Sequence, residues 1–185
     1  RIETLSGVKE MTLYTFNGKV SSVSVDMGKA VLDGKNIPST LEGDQVVNRE
    51  IVVGGQNYTV TLVNVGNPHC VVFCDKVDAV DVANIGPAFE YASYFPQRIN
   101  TEFVRVVNDK TLKMRVWERG NGETLACGTG AAASVVAAVL NGYCRKDEDI
   151  TVKVRGGDLI VRYSSDGTVT LTGNARQVFW GVVEF

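Results

Sequence analysis

The stretch Cys127-Gly128-Thr129-Gly130-Ala131-Ala132-Ala133-Ser134-Val135-Val136-Ala137-Ala138-Val139-Leu140-Asn141-Gly142 decides how this chain folds. Its middle, Thr129 to Leu140, is alanine-rich, leaves a glycine-bearing turn and stops at Asn-Gly, a common helix end. It is apolar almost all round, so it does not suit a surface. The pattern predicts a helix over about residues 129–141, enclosed by a curved sheet. The apolar run is too short to cross a bilayer, and Ser134 interrupts it.

Outward from that helix the chain reads as hairpins. Met11 to Phe16 and Val20 to Val25 flank Asn17-Gly18, and Ile51 to Val53 and Tyr58 to Val63 flank Gly54-Gly55. Dipeptides of this kind close two-residue hairpins. Glu102 to Val107 and Thr111 to Trp117 form a third pair, Leu159 to Tyr163 and Val169 to Thr172 a fourth. Asp44 to Asn48 and the tail from Val178 to Glu184 are expected to add edge or closing strands. Val82 to Tyr91 has helical spacing, weakened by Pro87. The expected class is α+β, a mostly antiparallel, barrel-like sheet around one central helix.

With 185 residues, 44% of them hydrophobic, the chain is long enough for a substantial core. Nineteen basic residues against 21 acidic ones leave a net charge of −2, which argues against nucleic acid or an anionic membrane as the main partner. Four cysteines at this length make no disulfide scaffold, and with a single histidine and no CxxC pair they make no zinc site. Reduced thiols in the cytoplasm are expected. No secretory leader is visible, although the chain opens on Arg1 rather than Met.

Two clusters carry chemistry. The first runs from Trp117-Glu118-Arg119-Gly120 to Cys127-Gly128-Thr129-Gly130, from a strand end through a glycine loop to the helix start. A thiol just before a helix meets free N–H groups and the positive end of the macrodipole, which lower its pKa toward neutrality. Such a thiol exchanges protons, and the same N–H groups suit a carboxylate. A buried structural cysteine in a capping loop is the plainer alternative. The second cluster is Gly66-Asn67-Pro68-His69-Cys70, where Asn67 stands at a strand entrance and His69 is suited to tuning a proton. Period-2 alternation sends Cys70 and Cys74 to the face opposite His69, into the core. Cys144, beside Arg145 and Lys146, is expected to be semi-exposed.

Together, Gly66 to Cys70, Asn100 with Glu102-Phe103-Val104, and the block from Glu118-Arg119-Gly120 to Cys127-Gly128-Thr129-Gly130 resemble the diaminopimelate epimerases, over essentially the whole chain. The resemblance implies one α+β lobe of a two-lobed, pyridoxal-independent racemase, with substrate between the lobes and no cofactor. It implies interconversion of LL- and meso-diaminopimelate in lysine and cell-wall precursor synthesis. Carried over by position, Cys127 would be one of two catalytic cysteines, with His69 and Glu118 supporting the proton transfers. Gly128 and Thr129 would hold the reacting carboxylate, and Asn67, Asn100, Glu118 and Arg119 the rest of the substrate. On the same ground residues 1–7 would be a remnant of an earlier lobe, 8–175 the second lobe, and 176–185 a strand returning to the first. A homodimer is compatible with the resemblance, although Phe179 stands where members often carry tyrosine at the dimer contact. The fragment by itself is expected to be inactive. Alternatives are a related racemase of another amino acid, or a non-catalytic amino-acid-binding lobe.

Overall fold

Asn17 and Gly18 both take positive φ, 50° and 72°, as do Gly54 and Gly55 at 57° and 79°. That backbone matches the twist of two-residue hairpins, and the flanking strands pair as their patterns require. The structure, a computed structural model, describes residues 1–4 and 7–184. In chain order the elements are β1 (Ile2–Thr4), β2 (Gly7–Lys9), β3 (Met11–Phe16), β4 (Lys19–Lys29), β5 (Arg49–Val53), β6 (Gln56–Asn64), β7 (Pro68–Phe73) and α1 (Val82–Glu90). There follow β8 (Asn100–Asn108), β9 (Thr111–Glu118), β10 (Gly122–Thr124), α2 (Gly128–Leu140), β11 (Asp149–Val154), β12 (Gly157–Tyr163) and β13 (Thr168–Asn174).

Ten of the strands form one path, β3-β4-β13-β12-β11-β9-β8-β7-β6-β5, and β10 pairs with β9 beside it. Neighbours run antiparallel except at β7–β8 and β9–β11, where they run parallel. The sheet curls round α2, which lies against β6 to β9 and β11 to β13. Every residue from Gly130 to Ala138 is buried, so small side chains let the strands approach on all sides. Ser134, the one polar residue in that run, donates its hydroxyl to the Gly130 carbonyl at 2.7 Å. The α+β class and the central helix are as expected.

A second core, not anticipated, lies on the outer face of β5 to β8 under α1 and holds Val60, Leu62, Cys70, Val72, Phe89, Ile99 and Phe103. The alternation along β7 explains the split. Val71 faces α2, while Cys70 and Val72 face α1.

Several expectations need correction. The tail from Arg176 to Glu184 forms no strand and is exposed, since no neighbouring strand edge meets it among the described residues; Phe185 lies outside them. Asp44 to Asn48 contributes only an isolated bridge, Gln45 to Asp33. Strand β11 was missed; it forms a hairpin with β12 across Arg155-Gly156, which lacks an Asn-Gly or Gly-Gly turn, and it also lies parallel to the distant β9. Cys144 is buried, not semi-exposed, because the chain turns back under α2 and places its thiol in the α2 core. At the front, β1 and β2 form a ribbon apart from the large sheet; Leu5 and Ser6, within the stretch assigned to an earlier lobe, lie outside the described residues. Among the described residues no helix is long and apolar enough to cross a membrane.

Candidate functional site

Strands β7 and β8 run parallel with His69 opposite Asn100 and Val71 opposite Glu102. Residues two apart share a face, so His69, Asn100 and Glu102 all turn toward the start of α2. Cys127 is the residue that caps that helix. Its backbone is extended, at φ −135° and ψ 112°, and its Sγ accepts from the Gly130 N–H at 3.3 Å. The Thr129 hydroxyl lies 3.4 Å from the same sulfur.

The expected lowering of this thiol is not what the chain provides. Burial, then the Glu102 carboxylate, push the Cys127 thiol up, and Glu118 adds to the rise; the contacts with Thr129 and Gly130 pull the other way and are outweighed. The cause is plain: a thiolate here would be desolvated beside two carboxylates. At neutral pH the group is a thiol, a proton donor.

Gly130 shows how tightly these groups are built together. A Cβ at that position would fall 2.8 Å from Glu102 Oε1 and 3.2 Å from Cys127 Sγ. Glycine at Gly130 therefore lets the first turn of α2 sit directly over the carboxylate. At Gly128 a Cβ would come within 2.9 Å of Leu171 Cδ2 on β13, the end of a side chain that can turn aside.

His69 is fully buried, with Nδ1 2.7 Å from Glu102 Oε1 and Nε2 2.9 Å from Asn67 Oδ1. Both ring nitrogens are thus engaged, and neither is bonded to a thiol. Asn100 is also buried; its amide donates to the Pro68 carbonyl at 2.8 Å and its Oδ1 accepts from the Arg119 N–H at 3.0 Å. It ties the two chemistry-bearing loops to each other. The Arg119 guanidinium donates from Nη1 to the Gln97 carbonyl at 3.0 Å. Glu118, half-buried, accepts from the Thr124 hydroxyl.

Asn67 and Arg119 line one open depression of about 480 Å³, together with Lys35, Asn64 and Gln97. Cys127, Gly128 and Thr129 do not line it; they connect to it through Glu102, His69 and Asn67. A larger cavity of about 650 Å³ lies on the α1 side, among Tyr58, Cys74, Ile85 and Phe103. None of the clustered polar groups opens into it, so the site is assigned by chemistry and not by size.

Sequence reasoning missed two carboxylates. Glu102 was read only as a motif neighbour of Asn100. Glu90, at the end of α1, is almost fully buried; it accepts from Trp117 Nε1 at 2.7 Å and from the Gly120 N–H at 3.0 Å, and pairs with Arg98 at 3.3 Å. It anchors the loop that carries Glu118 and Arg119. The available signal was weak in both cases: a lone Glu within an otherwise apolar strand, and a Glu closing a helix. Of the other thiols, Cys70 and Cys74 belong to the α1 side and Cys144 to the α2 core.

This curled sheet about a buried helix is a fold shared with solved racemase and epimerase structures. A probable proline racemase from Agrobacterium radiobacter K84, solved with bound carbonate, matches 93% of this chain and 56% of its own at a TM-score of 0.66 and 14% identity. A hydroxyproline epimerase from Agrobacterium vitis matches at the same TM-score and 13% identity, covering 93% of this chain and 55% of that one. These likenesses establish the fold alone.

The family is set by sequence. The diaminopimelate epimerase family model matches residues 61–178, and the chain belongs to that family. It is 45% identical to the diaminopimelate epimerase of Desulfitobacterium hafniense over 99% of this chain and 64% of that protein. To the enzyme of Synechococcus elongatus it is 50% identical over its full length, again covering 64% of the relative. It spans a little under two thirds of the curated relatives it matches.

Proposed function

We propose that this chain supplies one half of the active site of a pyridoxal-independent epimerase that interconverts LL- and meso-diaminopimelate, a step that feeds lysine and cell-wall precursor synthesis. The observation that carries the reading is the Cys127 thiol capping α2, its Sγ accepting from the Gly130 N–H at 3.3 Å and 3.4 Å from the Thr129 hydroxyl, linked through Glu102, His69 and Asn67 to the depression that Asn67 lines with Arg119. Epimerisation breaks the α C–H bond on one face and makes it on the other. A thiolate takes the α-proton from one face, and Cys127, holding its proton at neutral pH, returns one from the opposite face. In the reverse direction Cys127 is the thiolate. No net oxidation occurs, and two thiols exchange roles each turnover. Because Cys70 and Cys144 are buried in the cores and Cys74 lies on the α1 side, away from the start of α2, the second thiol belongs, on this reading, to a part of the protein other than the described residues.

The free N–H groups at the start of α2, with Gly128 and Thr129, suit the α-carboxylate, where charge develops as the proton leaves. Arg119 suits the distal carboxylate by its planar fork. Asn67 and Asn100 orient the substrate, Asn100 chiefly by fixing the loop of Arg119. Glu118 and His69 act on thiol ionisation, Glu118 through its charge near Cys127. Chemistry that needs free thiols suits a reducing cytoplasm. A homodimer through the exposed tail that contains Phe179 is compatible with this reading.

In the complete protein, Cys127→Ala is expected to abolish epimerisation while leaving the fold, since it removes the proton donor and little volume. The measurement is conversion of LL- to meso-diaminopimelate, with thermal melting as control. Turnover near that of the unaltered enzyme would refute the assignment.

A further inference from the structure

Glu102 is fully buried inside the α2 face of the sheet, a costly place for a carboxyl group. Among the described residues its only ion-pair partner is His69, and its second oxygen, Oε2, has no hydrogen-bond partner. Besides His69, the ionisable group that faces it is Cys127 from the start of α2, with Glu118 beyond; Cys70 feels its charge from the opposite face of β7. A carboxyl so poorly compensated, against which the helix is fitted by a glycine at Gly130, calls for a task.

We propose that Glu102 is a positioning residue of this site: by engaging His69 Nδ1 it keeps a hydrogen on Nε2, and through that hydrogen it locks the Asn67 amide with its NH2 turned to the cleft. The geometry fixes the logic. Oε1 and Nδ1, 2.7 Å apart, share a single proton. Asn67 Oδ1, 2.9 Å from Nε2, can only accept, so Nε2 bears a hydrogen of its own in addition to the proton shared at Nδ1. With its oxygen taken, Asn67 presents donors only to the depression it lines with Arg119. A donor-only amide beside a guanidinium favours a carboxylate and disfavours an ammonium group. The inference rests on the proposed reading of that depression as a substrate site, and it adds the specificity for which end of the substrate enters.

His69 is the only histidine of the chain, so its ring nitrogens are assigned in an ¹⁵N NMR spectrum without ambiguity. At pH 7.5 Nε2 is expected to show a one-bond coupling to hydrogen. An unprotonated Nε2 would overturn the proposal, and this needs no variant. In the complete enzyme two variants separate position from charge. Glu102→Gln still engages Nδ1 by donating its amide N–H, so KM for diaminopimelate is expected to stay within about threefold. Glu102→Leu leaves the ring free to turn, and KM is expected to rise about tenfold, more than kcat falls, the scale of one misplaced hydrogen bond. Equal impairment of both variants, or a harmless Glu102→Leu, would refute the positioning role. If the complete protein turned over no diaminopimelate, the functional reading would fail, while the NMR result would still decide the state of the ring.

Discussion

Gly130 and Cys144 are two residues whose surroundings make sharp demands. At Gly130 even a methyl group would press on Glu102 and Cys127 at once, at 2.8 and 3.2 Å. Neither neighbour has room to give: Glu102 is fully buried and Cys127 caps the helix. Gly130→Ala is therefore expected to destabilise the chain by about 1–3 kcal/mol, despite alanine's better helix propensity. A urea melt checks this; a gain in stability would mean that the first turn of α2 yields. Cys144 makes a demand on pH. Burial, then Asp109 and Glu148, raise its thiol from the ordinary 9.0 to about 11. A raised acid favours the folded state in its neutral form, so the contribution is whole below pH 9 and is lost as pH climbs toward 11. Two pH units correspond to about 2–3 kcal/mol. The stability difference between the unaltered chain and Cys144→Ala, followed by melting from pH 8 to pH 11, is expected to shrink; a constant difference would show that the thiol is solvated. The reading of Cys144 as semi-exposed failed because Arg145 and Lys146 lend it a polar sequence context while the backbone turns it inward.

Helix α1 meets strand β9 at Trp117. A Cβ on Gly86 would lie 2.3 Å from the Trp117 ring, so the helix packs backbone to indole, and Glu90 one turn later accepts the indole N–H. The same carboxylate holds Gly120, so α1 sets the position of the Glu118–Arg119 loop. Gly86→Ala is expected to lift α1 from β9, cost about 2–4 kcal/mol and release the indole from Glu90. In a Trp180→Phe background Trp117 is the only tryptophan, and its emission should shift to longer wavelength. An unshifted spectrum with unchanged stability would show the contact to be dispensable. The helix itself was legible from spacing, with Pro87 tolerated in its interior. Its role was not, since nothing in Val82 to Tyr91 reveals that Trp117 lies beneath. The hairpins were legible for the opposite reason: their turns are local, and Asn-Gly or Gly-Gly states them outright.

At the scale of the whole molecule, the order of elements along the chain predicts less than their contacts in space. The site depends on the parallel pairing of β7 with β8 across some thirty residues, and period-2 alternation places each side chain on a face without saying which strands adjoin. Cys127, Asn67, His69, Asn100 and Arg119 were found because they stand in loops or at element ends, where chemistry interrupts an apolar pattern. Glu102 stands inside a strand and was passed over. The site so assembled holds one thiol, Cys127 at the start of α2, and Leu13 and Phe16 on the β3–β4 hairpin remain exposed, at 57% and 72%. From this follows the expectation that the 185-residue chain folds, on its two cores, yet catalyses no exchange. Removing a proton from one face and returning it to the other needs two groups, and an open depression leaves water to weaken each charged contact. The measurement is loss of α-deuterium from labelled LL-diaminopimelate into water, at high protein concentration with thiols reduced. Exchange well above that of Cys127→Ala would show that a single thiol suffices, and the division of labour between two cysteines would have to be abandoned.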